Sequence, residues 1–204
     1  EAKLKSVVDQ TLNALKQTNL YNYNDNSVTV EEFNARKQKV EELLKALITI
    51  CFNFGRWANK SQTRVIVRQF ERILQIPEPN SYKEIWENLA RYPGLLILYA
   101  TGLGAIYNGN MDILESTLNV KLYNRSNGEN EPVYYLTSAF NVFRYYKDVT
   151  KDKRYFPASD DLFDLFKPYF VDLALEKYED IFDSFEYLLS LNYGDWEIKK
   201  NKSE

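Results

Sequence analysis

The 204-residue chain contains no histidine, one cysteine, one methionine, seven glycines and six prolines. Without histidine, Ser/His/Asp and Cys/His nucleophile arrangements cannot form within the chain, and His-based zinc and iron sites are excluded as well. A single cysteine cannot close an internal disulfide, which fits a reducing compartment. That residue, Cys51, sits in the apolar run Ala46 to Phe52, so it reads as a small buried hydrophobe and not as a reactive thiol. No signal peptide is visible, and the longest uncharged apolar stretch, Pro93 to Tyr107, is shorter than the roughly 20 residues that a membrane span needs. The expectation is a soluble, cytoplasmic chain with no membrane span. It begins at Glu1 with no initiator methionine, which suggests a piece of a longer protein.

What is present is an ordinary globular balance with an aromatic excess. Hydrophobic residues make up 45% and charged residues 27%, with a net charge of −3, so disorder is not expected. Tyrosine (16) and phenylalanine (12) carry the excess. A compact fold of this length buries about 70% of its unfolded surface, so a real core is available.

Helical periodicity dominates the pattern. Leu4, Val8, Leu12 and Leu15 predict a helix over residues 2–17, followed by an Asn- and Asp-rich loop from Tyr21 to Ser27. Thr29-Val30-Glu31-Glu32 is a capping box, so a second helix starts near Val30. Val40, Leu44, Leu47, Cys51 and Phe54 then step by four and three, carrying this longest helix to about Ala58. A third helix is expected from Gln62 to Ile76, ending before Pro77 and Pro79. Ser81-Tyr82-Lys83-Glu84 is a second capping box, opening a short helix that stops before Pro93.

Tyr92-Pro93-Gly94 opens an apolar helix, and Asn108-Gly109-Asn110 turns it into Met111 to Leu118 as a helical hairpin. Asn124 to Pro132 reads as a loop and as the boundary between an N-terminal helical part and an aromatic-rich C-terminal part of one domain, 1–204. Val133 to Leu136 reads as a short strand, Ser138 to Lys147 as helix, and Asp148 to Pro157 as a charged connection. Ser159 is expected to cap a helix that Pro168 interrupts. Tyr178, Phe182, Phe185 and Leu189 mark a final helix ending near Asn192 to Gly194, with a frayed tail from Lys199. The fold class is all-α, an irregular bundle or solenoid-like array of about eight to ten helices.

Three constellations invite a functional reading. The first is helix packing through Gly94, Ala100, Gly102, Gly104 and Gly109. A helical glycine costs roughly 1 kcal/mol relative to alanine, so something, a helix or a ligand, approaches the backbone there. A phosphate-binding glycine loop needs glycines at a strand-to-helix turn, with a Lys-Ser/Thr or a downstream acidic residue completing the site; here the glycines lie inside a helix, no Lys follows and no strand is expected before them. The second is the basic series Arg56, Lys60, Arg64, Arg68 and Arg72, spaced by four throughout, with Arg64, Arg68 and Arg72 opposite Ile66, Phe70 and Leu74. Such a row can neutralise a nucleic-acid backbone; alternatively it pairs with the acidic stretch Ser159 to Glu186, whose nine carboxylates face only Lys167 and Lys177.

The third constellation is Asp160, Asp161 and Asp164, which the dipole at a helix start accounts for without a metal. Glu41 and Glu42 read as plain helix-surface carboxylates. The aromatic residues between Tyr134 and Phe170 are expected to fill the core and to leave a patch that binds a partner. No cofactor is expected; a protein partner or self-association is, with nucleic acid as the second choice.

Two stretches carry a resemblance, Arg91 to Ala100 with its glycine helix, and Phe182-Asp183-Ser184-Phe185-Glu186-Tyr187-Leu188-Leu189-Ser190-Leu191. Together they resemble a helical C-terminal region of bacterial multidomain proteins that look like signalling or antiphage-defence proteins with an enzymatic module elsewhere. The resemblance implies a fold and a modular context, and it carries over no catalytic residue. The expected role is a non-catalytic interaction or regulatory module of a larger bacterial protein. The alternative is a nucleic-acid or nucleotide sensor built on the basic series.

Overall fold

The computed structural model describes residues 2–17, 28–74, 84–124 and 128–202. The fold is all-α with one two-stranded sheet among the described residues. Helix α1 spans Ala2–Gln17, α2 Val30–Trp57, α3 Thr63–Leu74, α4 Glu84–Leu89, α5 Tyr92–Tyr107 and α6 Met111–Leu118. Strands β1 (Lys121–Asn124) and β2 (Glu129–Pro132) follow, then α7 (Val133–Leu136), α8 (Ala139–Val142), α9 (Tyr146–Thr150), α10 (Pro157–Phe166) and α11 (Leu175–Asn201). The expected loop at Tyr21 to Ser27, the stop at Pro77 and Pro79, and the cap residues Ser81 to Lys83 lie outside the described residues.

The centre of the fold is the pair α2 and α5. Val40, Leu44, Leu47 and Cys51 of the four-and-three seam are buried, together with Ile48 and Phe52. Helix α5 is apolar all round, and Leu95, Leu96, Ile97, Leu98 and Leu103 are buried on its several faces, which makes it the hub. By length and composition residues 84–107 could cross a membrane, but most of this stretch is buried inside the fold. The run is thus longer than Pro93 to Tyr107 alone, because α4 leads straight into α5. Thr29 starts α2 by accepting the Glu32 N–H at 3.1 Å. Only this half of the capping box forms, since the Glu32 carboxylate is taken by Arg36.

The turn between α5 and α6 grips the end of α2. Gly109 adopts φ +66°, a left-handed conformation that suits glycine and lets the chain reverse. Asn108 then donates to the Arg56 carbonyl (2.8 Å), and Asn110 donates to the carbonyls of Gly55 (3.0 Å) and Ala58 (2.8 Å). These bonds satisfy carbonyls that a helix end leaves without an intrahelical donor.

Several expectations need correction. Glu129 to Pro132 is a strand paired antiparallel with β1, Leu122 opposite Glu131 and Asn124 opposite Glu129. The stretch Glu-Asn-Glu-Pro lacks the alternation that announces a strand; its register is held by buried Leu122 and by Glu131, whose carboxylate meets Lys200 at 2.9 Å. Val133 to Leu136 is a helical turn, not a strand: Val133 and Leu136, three apart, both point inward. Ser138 to Lys147 is two short helices split at Phe143–Tyr145, and the split brings Phe143 onto Tyr92 and Tyr146 onto Phe33.

Helix α10 starts at Pro157, so Ser159 lies inside its first turn and gives its hydroxyl to Glu186 (2.7 Å) instead of capping. Helix α11 does not end at Gly194 but runs on to Asn201, because the aromatic rings of Tyr193 and Trp196 pack on Tyr135 and Lys200 reaches Glu131.

Candidate functional site

The glycines of α5 are occupied by the rest of the chain. A Cβ on Gly104 would overlap the Phe52 carbonyl oxygen of α2, and one on Gly55 of α2 would overlap the Thr101 carbonyl oxygen of α5. Each helix therefore supplies the gap that the other's backbone fills, and the two axes approach as closely as bare backbone allows. A Cβ on Gly102 would overlap the ring of Phe185 from α11. Ala100 and Gly94 are buried, and Gly109 stands open in its turn. Backbone approach here is by helices and a phenyl ring. Gly55, half of the crossing, was not anticipated: its neighbours Phe54 and Arg56 are bulky, and its partner lies on another helix.

The basic series divides. The Arg56 guanidinium lies over Tyr107 (4.5 Å), Trp57 (4.8 Å) and Phe52 (5.8 Å), cation–π contacts that hold it at the α2–α5 junction. Arg72 is ion-paired with Asp9 of α1. Lys60, Arg64 and Arg68 are exposed, and none of them makes an ion pair among the described residues. Beside them Trp57 is 65% exposed. The ion pairs seen for the acidic stretch go to Lys37 and Arg154, not to this series.

A polar network joins the residues that could have formed a catalytic or metal site. The Tyr92 hydroxyl donates to Glu41 (2.6 Å), and Lys37 bridges Glu41 and Asp161, both at 3.2 Å. Asp161 also accepts from Tyr146 (2.7 Å) and Arg154 (2.9 Å), and Arg154 pairs with Asp152 (2.7 Å). Glu41 is thus an internal acceptor, not a plain surface carboxylate. Among the described residues no group of three or more His, Cys, Asp or Glu side chains could hold a metal ion. Burial opposes the charge of Asp161, but Tyr146, Lys37 and Arg154 outweigh it and hold the carboxyl below its usual range. Burial, then Glu41, pushes Tyr92 well up; burial, then Glu186, does the same for Tyr99, which donates to Glu186 at 2.7 Å.

The fold leaves large apolar side chains uncovered at Trp57, Tyr123, Phe140, Tyr155, Phe156 and Val171, and in a row along the outer face of α11. Tyr178, Phe182 and Phe185 face the core, whereas on the opposite side Tyr187 is 65%, Leu191 51% and Ile198 56% exposed. These residues step by four and seven, so with Gly194 they form one stripe. Elsewhere part of the aromatic excess is consumed inside, where Tyr99 meets Phe166, Phe182 and Phe185, and Tyr107 meets Phe52 and Phe170, while Phe140, Tyr155 and Phe156 of the aromatic-rich stretch stay exposed. Compared with protein-family models, with curated proteins and with solved structures, the chain matches none of them.

Proposed function

We propose that this domain is a non-catalytic docking module of a larger, bacterial protein, and that it docks through the outer face of α11. The observation that carries this reading is the row of Tyr187, Leu191 and Ile198, solvent-facing on a helix whose inner face is fully committed. Large apolar side chains aligned on one exposed stripe mark an interaction surface. The Lys37–Glu41–Asp161 network supports the same reading, because its hydrogen bonds and ion pairs tie α2, α5, α9 and α10 into a rigid carrier.

The test is a Leu191→Glu, Ile198→Glu variant. It is expected to keep the melting temperature of the parent within a few degrees and to lose association, whether with itself or with a protein captured from source-cell extract. A parent chain that associates with nothing the variant fails to bind would refute docking through α11.

A second reading is favoured by one observation: Lys60, Arg64 and Arg68 are exposed and make no ion pair among the described residues, and Trp57, three residues before Lys60, is exposed as well. Three cations with an aromatic platform suit single-stranded nucleic acid. Binding should then appear at about 50 mM salt and fall with a log–log slope of about −2. No binding at that salt eliminates it.

A further inference from the structure

We propose that the outer face of α11 pairs with α11 of a second copy of this chain, antiparallel, in a two-fold dimer. The inference rests on the docking reading above and names its partner. It starts from Gly194. The other helical glycines at crossings, Gly55, Gly102 and Gly104, are each filled by a neighbour, whereas a Cβ on Gly194 would meet nothing within 4 Å. Glycine in a helix interior is costly, and here no contact among the described residues explains it. At 100° per residue Tyr187, Leu191, Gly194 and Ile198 fall within an arc of about 60°, so the unfilled glycine lies inside the exposed apolar stripe. A gap flanked by apolar knobs is what a second helix needs for close approach.

Charge selects the direction and the occupant. The stripe continues toward the helix start into Asp180 and Asp183, and toward its end into Lys202; all three are exposed and none is ion-paired among the described residues. A parallel pairing would set Asp183 against Asp183 and Lys202 against Lys202. In the antiparallel pairing, Leu191 of each copy sits over Gly194 of the other. That register places Tyr187 opposite Ile198, four residues out on each side, and Asp183 opposite Lys202, eight residues out. Hydrophobic, small and charged positions all match in one register, and the two-fold axis makes every contact occur twice, as an isologous interface requires. Three apolar side chains per copy bury less than a standard interface, so the dimer is weak and dissociates on dilution, with a midpoint on the order of 100 μM.

The experiment is sedimentation equilibrium of the whole chain from about 10 μM to about 1 mM, a range bracketing that midpoint. The wild type should move from monomer to dimer. Leu191→Glu should abolish the dimer, and Gly194→Leu should weaken it at least ten-fold. Lys202→Glu should weaken it about five-fold, and the double swap Asp183→Lys, Lys202→Glu should recover most of that loss, since each copy then offers the reversed pair. Circular dichroism confirms that each variant keeps its helix content, as expected for exposed positions.

A wild type that stays monomeric, a dimer indifferent to Leu191→Glu, or a double swap that fails to recover would each overturn the proposal. These failures separate from failure of the docking reading. If Leu191→Glu costs capture of a different protein while the chain stays monomeric, docking through α11 survives and self-pairing does not. If it changes neither, both fall.

Discussion

At the scale of single residues, four helical glycines differ in what a methyl group would meet. Gly55→Ala and Gly104→Ala drive a Cβ into backbone carbonyls that cannot step aside, so each should cost about 3 kcal/mol or more by urea unfolding. Gly102→Ala meets only the Phe185 ring, which can rotate or be shortened; it should cost less, and Phe185→Leu should recover part of the loss. Gly194→Ala meets nothing, and at low micromolar concentration should gain up to about 1 kcal/mol. A stabilised Gly104→Ala would refute the described crossing.

Cys51 offers a second check: burial pushes its thiol up to about 12, the Thr101 hydroxyl opposing more weakly, so a disulfide-exchange reagent should leave it untouched until the chain unfolds. The density of glycines between Gly94 and Gly109 announced close approach in the sequence itself. Gly55 did not, because its meaning comes from Thr101 and Ala105, on a helix whose arrangement no local pattern specifies. Tyr92, Glu41, Lys37 and Asp161 were equally hidden, since their adjacency exists only after three elements, α2, α5 and α10, have packed.

At the scale of elements, the β-hairpin and the last turns of α11 depend on each other. Glu131 is fully buried, accepting from Asn124 (2.6 Å) and paired with Lys200 (2.9 Å). Removing the cation alone leaves a buried charge short of its partner. Lys200→Met should cost about 3 kcal/mol and speed amide exchange across 195–201, and adding Glu131→Gln should recover much of the loss. Unchanged exchange would show that Lys200 does not hold the helix end. The helices themselves were legible: α1, α2, α5 and α6 lie where periodicity, Thr29 and Gly109 placed them. The errors came where tertiary contacts override local preference, at Gly194, which does not stop α11, and at Glu129 to Pro132, a strand without strand-like residues.

At the scale of the whole molecule, buried tyrosines set the alkaline limit of stability. Tyr92 and Tyr99 are raised above their ordinary 10.0, first by burial and then by Glu41 and Glu186. A folded-state value above the unfolded one gives stability that is complete below about pH 10 and is lost as pH rises beyond it. Asp161 runs the other way: held below 3.8 in the fold, it contributes above that pH and loses its contribution as pH falls further. Melting temperature should therefore be flat across neutral pH and drop beyond about pH 10. Absorbance at 295 nm should show Tyr92 and Tyr99, and with them the burial-raised Tyr146 and Tyr178, ionising only together with unfolding. Early, independent titration of all sixteen tyrosines would contradict the described core. The all-α class could be read from spacing alone, whereas the choice of α5 as hub could be read only from its lack of a polar face.

The reciprocal seat at Gly55 and Gly104 also dictates which lesions the chain tolerates. Each helix lodges its main chain in the one notch of the other, so α5 cannot slip a residue along α2 without colliding with a side chain. Adding or deleting one residue between Tyr99 and Gly104 should abolish folding, while the same change between Gly194 and Asn201 should only loosen the end of α11.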